Sequence, residues 1–178
     1  MRNLVFVISL FVCWPALAQQ GFGGVWTATL CAKGAQREAG ECSTFVLELK
    51  EQDGKLCGSH MFATPGARRI DEGAAPSLTA DIAEHVARGA IISNMGGRPV
   101  RVRVELQLDG RHLRWQRLDS PKGDYLLPRA ASLSRSPKPT LLAPLFAQEL
   151  RAACNYIFNL PTVRRDGPVP GSTGASAR

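Results

Sequence analysis

The chain has 178 residues, with 22 Lys and Arg against 15 Asp and Glu, which gives a formal net charge of +7 at pH 7. This length is enough for one domain with a sizeable core. Because the basic residues are scattered and aromatic residues make up only 7% of the chain, the composition argues against a nucleic-acid-binding module.

Residues 1–18 carry an early positive charge at Arg2, an apolar run from Leu4 to Trp14 and an Ala-Leu-Ala ending. This pattern predicts a secretory signal peptide, and an uncleaved anchor is the less favoured alternative. The run is too short to cross a hydrocarbon core of about 30 Å, and no later stretch is long and apolar enough to do so. We expect a mature bacterial protein that begins near Gln19 and is periplasmic or secreted, with no membrane span.

The mature chain contains four cysteines, Cys31, Cys42, Cys57 and Cys154. An even number in an exported protein indicates two disulfides, for which the sequence allows three connectivities. Their positions favour Cys31 with Cys42, which would close the loop between the first two strands, and Cys57 with Cys154, which would tie a later element to the outside of the sheet. A metal site is less favoured, because the chain has no Cys-x-x-Cys pair and no cluster of His.

Strand-like segments recur along the chain at short intervals. The first is Val25 to Leu30, and residues 44–64 follow as a hairpin that turns at Asp53-Gly54, the strongest short-range signal for such a structure. Further strands are predicted at residues 78–83, 86–93, 100–108, 112–118 and 126–135, with turns near Glu84 and His85 and at Asp109-Gly110, and with the regular part of the last strand starting after Pro128.

Both Asp-Gly hairpins alternate in polarity. In the first, the turn places Phe45 opposite Phe62 and Leu47 opposite His60, so that one face is apolar except for the histidine. In the second, Glu105 is expected opposite Arg114 on a wet face. Eight antiparallel strands in hairpin order predict an all-β fold, an up-and-down barrel that is closed on itself.

The composition changes after residue 135. Residues 136–139 form a Pro-containing linker, and Pro144 fits the first turn of a following helix. The helix should dock on the outer barrel wall and end before Pro161. We therefore divide the chain into a signal peptide (1–18), a barrel domain (19–135), a linker with one C-terminal helix packed outside (136–161) and a tail expected to be disordered (162–178). The apolar stripe of the predicted helix consists of Leu142, Phe146, Leu150, Ala153, Cys154 and Ile157.

A Gly-Val-Trp sequence ending at Trp26 opens the first strand, and Arg135 ends the last one. This resembles the calycin arrangement of lipocalins and avidin-like proteins, in which the Trp of a Gly-x-Trp motif plugs the barrel base and a late basic residue packs across it. The resemblance covers residues 22–135, and the outer helix and its disulfide look lipocalin-like. It implies structural roles for Trp26 and Arg135, but the residues after Trp26 do not match the biotin contacts of avidin.

Candidate binding residues are those that the hairpins direct inward or toward one end of the barrel. His60 lies on the apolar face of the first hairpin, where a buried imidazole needs a hydrogen-bond partner. Arg117 follows Trp115 and could meet an anionic head group. The predicted ligand-binding set is His60, Trp115, Phe45, Phe62 and Arg117, and the loops at residues 68–73 and 94–98 are the predicted recognition loops.

The chain carries no Gly-x-Ser-x-Gly elbow, phosphate-binding loop or His-Glu-x-x-His helix, and we expect a non-enzymatic binding protein without a cofactor or a metal. An enzyme is the less favoured alternative, because a catalytic triad can assemble from residues far apart in the chain. The target of the binding protein is either a small, mostly apolar ligand inside the barrel, or another envelope or secreted protein, as for a hydrolase inhibitor or an assembly factor. The volume of the side chains inside the barrel distinguishes these hypotheses. Phe45, Phe62, Trp26 and Trp115 could fill the barrel, whereas Gly58 and Ala28 would leave space.

Overall fold

The computed structural model describes residues 21–35 and 40–160, so the predicted signal peptide and the predicted tail from residue 162 lie outside the described residues. The described part contains nine strands, a short 3-10 helix at Pro65–Ala67 and one α-helix. The strands are β1 (Gly24–Leu30), β2 (Ser43–Gln52), β3 (Lys55–Ala63), β4 (Ile70–Glu72), β5 (Leu78–Ala83), β6 (Val86–Ser93), β7 (Val100–Asp109), β8 (His112–Arg117) and β9 (Ala130–Arg135), and the helix is α1 (Pro144–Phe158).

Eight of these strands close into an antiparallel barrel, as the sequence predicts. All the strands except β4 pair in chain order, and β9 returns to pair with β1 through Trp26 opposite Arg135. The short strand β4 is an addition that was not predicted. It pairs with the end of β3 at residues 61–63, whereas β5 pairs with the beginning of β3 at residues 55–58.

The first hairpin has the predicted register. Asp53 and Gly54 both have positive φ, at 49° and 72°, as the two central positions of this turn type require. Phe45 lies opposite Phe62 and Leu47 opposite His60, and all four side chains are buried inside the barrel. The local turn chemistry therefore determined which residues reach the core.

The second hairpin corrects one prediction. Its turn is formed by Gly110 and Arg111, so Glu105 lies opposite Gln116 and not opposite Arg114. Gly110 has a φ of 59°, and a turn with Gly at its first central position needs a positive φ only there. The two-residue shift keeps the same residues facing inward. The two predicted partners form other ion pairs instead, Glu105 with Arg88 at 2.7 Å and Arg114 with Asp109 at 2.6 Å.

One end of the barrel, which we call the base, is closed by Trp26 and Arg135. Trp26 is fully buried and donates a hydrogen bond from Nε1 to the carbonyl of Phe22 at 2.7 Å. The guanidinium of Arg135 lies 4.3 Å from the centre of the indole ring and donates to the carbonyls of Gly21 and Gly23. The three tight hairpin turns lie at this end, and the longer loops lie at the opposite end, the mouth.

The helix α1 packs on the outer wall of the barrel. It begins at Pro144, as predicted, and buries Leu150 and Cys154 against Cys57 of β3.

Both predicted disulfides are present, Cys31 with Cys42 and Cys57 with Cys154. Two disulfides fit an extracellular or periplasmic protein. Within residues 21–35 and 40–160, no helix is long and apolar enough to cross a membrane.

The two disulfides should contribute unequally to stability. Their cysteines are 97 and 11 residues apart, and the stabilisation from restricting the unfolded chain grows with the length of the closed loop. We expect the double substitution Cys57→Ala/Cys154→Ala to lower the free energy of unfolding by about 4–5 kcal/mol, and Cys31→Ala/Cys42→Ala by about 3 kcal/mol. Urea denaturation of the mature protein measures both, and an equal or reversed order would contradict the assignment of α1 to the folded core.

Candidate functional site at the barrel mouth

A fully buried carboxylate, that of Asp71, lies at the centre of the mouth. Strand β4 directs this side chain inward, while its neighbours Ile70 and Glu72 are exposed. The hydroxyl of Ser93 on β6 lies 2.8 and 2.7 Å from the two carboxylate oxygens, and the backbone N–H of Leu126 donates to Oδ2 at 2.8 Å. The carboxylate therefore joins β4, β6 and the loop between β8 and β9.

His60 extends this hydrogen-bonded group from inside β3. Its Nε2 lies 3.4 Å from Oδ1 of Asp71, and its Nδ1 lies 2.8 Å from the hydroxyl of Ser77. Because an ionised carboxylate only accepts hydrogen bonds, Nε2 carries the proton that faces Asp71. The Ser77 hydroxyl, which lies beside Nδ1, also accepts a hydrogen bond from the backbone N–H of His60 at 3.2 Å. We refer to Asp71, Ser93, His60 and Ser77 as the Asp71 network.

The network shifts the acidity of its carboxyl group. Burial alone would raise the pKa of Asp71, but hydrogen bonds from His60, the Leu126 N–H and Ser93, together with the charge of His60, outweigh burial and lower the pKa below its ordinary value of 3.8. Folding thus favours the ionised form, and the buried charge is compensated on several sides.

The loop between β8 and β9 covers the mouth. Its residues 124–128, which we call the mouth strap, place Leu127 in the hydrophobic core with 6% of its surface exposed. The carbonyl of Pro128 accepts a hydrogen bond from Trp115 Nε1 at 2.9 Å. The guanidinium of Arg117 lies 5.2 Å from the ring centre of Tyr125 and donates to the Leu127 carbonyl at 3.3 Å. Backbone, apolar and cationic contacts therefore all fix the strap.

The strap replaces part of a predicted strand. The sequence suggested a last strand over residues 126–135, with its regular part after Pro128, but β9 begins only at Ala130. Pro128 has no N–H and cannot donate a hydrogen bond to a neighbouring strand. Leu126, two residues earlier, donates its N–H to Asp71 instead of to a strand.

A second set of contacts joins the loops on the outer edge of the mouth. Arg69 donates to Asp124 of the strap at 2.9 Å and lies 3.8 Å from the sulfur of Met95 in the loop between β6 and β7. The predicted recognition loops at residues 68–73 and 94–98 are therefore brought together, with the strap between them. Ile70 stands on this edge with 47% of its surface exposed.

The five predicted ligand-binding residues lie in the mouth half of the barrel. The ring of Phe45 is 5.0 Å from that of Trp115 and 6.1 Å from that of Phe62, and all three side chains are buried. His60 is engaged by the Asp71 network, and Arg117 by the strap. Sequence reasoning did not single out Ser77, Ser93 or Leu127, whose polar or apolar character alone gives no signal of a shared site.

The expected space at Gly58 is absent. A Cβ atom at this position would lie 2.4 Å from the carbonyl oxygen of Glu48 and 2.7 Å from Cδ2 of Leu49.

Two solvent-open cavities lie away from the mouth. One, of about 1390 Å³, lies between the base and α1, and the other, of about 280 Å³, lies on the outer wall beside the end of α1.

Ser77, His60 and Asp71 have the residue types of a serine hydrolase triad, and the hydroxyl of Ser77 is covered by backbone. Ser77 is 3% exposed, and Gly73 packs directly over it. A Cβ atom at Gly73 would lie 2.1 Å from the Ser77 hydroxyl and 2.4 Å from Nδ1 of His60. A substrate could reach the hydroxyl only if this backbone moved.

Comparisons with protein families, with curated proteins and with solved structures found no match for this chain.

The substitution Asp71→Asn tests the role of the carboxylate. It should lower the free energy of unfolding at pH 7 by about 2–4 kcal/mol. If the amide oxygen takes the place of Oδ2 and keeps the bonds from Ser93 and Leu126, its NH2 group takes the place of Oδ1, where it cannot accept from His60, and the negative charge is lost. Since the folded pKa of Asp71 is depressed, its contribution is complete above about pH 5 and is lost as the pH falls through that pKa. The stability gap between wild type and variant should therefore narrow in acid, as measured by denaturation at several pH values.

Asp124→Asn is the matched control, because Asp124 is 55% exposed and pairs with Arg69 at the surface. This substitution should cost less than about 1 kcal/mol. A wild-type protein no more stable than Asp71→Asn at pH 7, or a gap that stays constant down to about pH 2, would contradict the assigned role.

Proposed function

We propose that this protein is an exported, non-enzymatic binding protein of calycin-like build that recognises another envelope or secreted protein through the loops at its mouth. The observation that carries the proposal is the closed mouth, in which Leu127 of the strap is buried in the same hydrophobic core as the packed rings of Phe45 and Trp115. The burial of these side chains supports an interior filled by the protein itself, with the barrel as a scaffold and binding at its surface.

The mouth loops suit this role because they are fixed before any partner arrives. Arg69 connects two of them to the strap, and β4 pairs with β3 directly beside Ile70. Ordering a loop on binding costs free energy, so a loop that is already ordered binds more tightly for the same contacts. An exposed Ile between Arg69 and Glu72 combines an apolar centre with a charged margin, as binding patches commonly do.

The covered hydroxyl of Ser77 supports a non-enzymatic role. The two disulfides and the predicted signal peptide support a working place in the periplasm or outside the cell. The Trp26 and Arg135 contacts at the base support the finer resemblance to lipocalins and avidin-like proteins. Two roles fit such a rigid surface. The protein would either inhibit an envelope hydrolase or act as an assembly factor for other envelope proteins.

A second candidate function keeps the predicted ligand inside the barrel. It is favoured by the grouping of Phe45, Phe62, Trp115 and Arg117 around the strap. A small, mostly apolar molecule with an anionic group would take the place of Leu127 and pair with Arg117. This function requires the strap to give up its contacts with Asp71, Trp115 and Arg117, which is why we rank it second.

Site-specific photo-crosslinking in the native host tests the proposal. A photoreactive phenylalanine analogue at Ile70 should give a covalent adduct with one protein, whereas the same analogue at Arg111, an exposed residue of a turn at the base, should not. The mature protein isolated in parallel should show the mass of the bare chain by native mass spectrometry.

Adducts of equal yield at both positions would indicate nonspecific contact and overturn the proposal. If neither position gives an adduct and the isolated protein carries a small molecule that is lost on unfolding, the proposal fails and the second candidate function is supported.

A further inference from the structure

Strand β4 is paired on one side only. The eight barrel strands each have two neighbours in the sheet, whereas β4 pairs with the end of β3 and lies at the end of the strand order. A strand with an unpaired edge presents backbone N–H and C=O groups that can pair with another chain. Among the strands of the described residues, β4 is therefore the one whose backbone is open to a further strand.

The pairing with β3 shows which residues face the open edge. In an antiparallel ladder, successive residues direct their N–H and C=O groups alternately toward and away from a given neighbour. The N–H of Gly73, directly after β4, donates to the carbonyl of His60 on β3 at 2.9 Å. Asp71, two residues earlier, therefore also directs its backbone groups toward β3. The backbone groups of Ile70 and Glu72 are directed away from it.

The open edge has unused binding groups of three kinds. Within residues 21–35 and 40–160, the backbone N–H and C=O groups of Ile70 and Glu72 form no hydrogen bond, and both residues are exposed. The Glu72 carboxylate forms no ion pair in the same ranges, because the nearby Arg69 pairs with Asp124. The edge thus offers two donors and two acceptors of the main chain, an apolar side chain and a negative charge.

This short edge is held in place from inside the barrel. The carboxylate of Asp71, between the two outward residues, accepts from the Ser93 hydroxyl at 2.7 Å and from the Leu126 N–H at 2.8 Å. A strand of only three residues is therefore kept extended by contacts on its inner side. Because the edge is ordered in advance, pairing with it costs less conformational entropy than pairing with a free loop.

We propose that the partner of the mouth binds by adding an extended segment of its own chain to the open edge of β4. This inference rests on the proposed function and names how that partner is recognised. The main chains of Ile70 and Glu72 form up to about four hydrogen bonds with the added strand, and the side chains beside them provide specificity. The segment carries an apolar residue beside Ile70 and, two positions along, a Lys or Arg beside Glu72.

Photo-crosslinking from Ile70 in the native host, combined with a proline substitution, tests the proposal. Proline at position 72 removes the N–H that faces the open edge and none that pairs with β3. With the photoreactive phenylalanine analogue at Ile70, Glu72→Pro should lower the yield of the protein adduct at least about tenfold. The matched control Glu72→Thr keeps the N–H and loses only the charge, so it should lower the yield about twofold to fivefold.

Hydrogen exchange of the purified variants, followed by NMR, checks that β4 is still formed. The amides of Asp71 and Gly73 should stay protected in Glu72→Pro, since both face β3. If they do not, Ile70→Pro with the photoreactive analogue at Glu72 removes the other outward N–H. It should give the same loss of adduct, relative to Ile70→Thr with the analogue at the same position.

The outcomes separate this inference from the function on which it rests. If Glu72→Pro lowers the adduct yield no more than Glu72→Thr does, the partner binds through side chains alone, which overturns strand addition and leaves the proposed function in place. If Ile70 gives no adduct in the otherwise unchanged protein, the proposed function fails and this inference fails with it. An adduct with a second copy of the same chain identifies self-pairing of β4 and likewise overturns the inference.

Discussion

The mouth of this barrel depends on a single carboxylate that has no access to water. A buried carboxylate is tolerated only where hydrogen-bond donors surround it, and Asp71 obtains them from Ser93, Leu126 and His60. Each donor comes from a different element. Satisfying one charge therefore fixes the positions of β4, β6, the inner face of β3 and the loop between β8 and β9.

The two ends of the barrel are closed by opposite charges. At the base, the guanidinium of Arg135 lies over Trp26 and donates to nearby carbonyls, while at the mouth the carboxylate of Asp71 accepts from surrounding donors. The aromatic rings of Phe45, Phe62 and Trp115 fill the mouth-side interior between them. The result is a barrel whose two ends are each held closed by several contacts.

Sequence reasoning succeeded where structure is decided by neighbouring residues. Alternation of apolar and polar residues identified all eight barrel strands, and the positive φ of Asp53 and Gly54 fixed the register of the first hairpin. The predicted register of the second hairpin was wrong by two residues, because Gly110 can occupy either central position of a two-residue turn. The cysteine pairing was predictable because strand polarity placed Cys57 on the outer face, toward the helix.

The mouth could not be predicted in the same way, since its contacts join residues far apart in the chain. Asp71 meets partners that are 11, 22 and 55 residues away, and no local pattern records such distances. In β4 the polarity is even misleading, because the charged Asp71 is buried and the apolar Ile70 next to it is exposed. Leu126 and Leu127 are both apolar. This character predicts the start of a strand, but it equally suits side chains that pack against the core at the mouth. The ligand-binding role of the five residues chosen from sequence remains a prediction.

The measurement that tests this account most directly is the hydrogen exchange rate of the Leu126 backbone amide in the mature, oxidised protein, followed by NMR. If the Asp71 carboxylate fixes the strap across the mouth, this amide should be protected to a degree comparable with the inward-facing residues of β2 and β3, since it donates to a fully buried acceptor. Exchange as fast as that of the exposed Lys122 amide, four residues earlier in the same loop, would show that the mouth is open in solution and would contradict the closed scaffold.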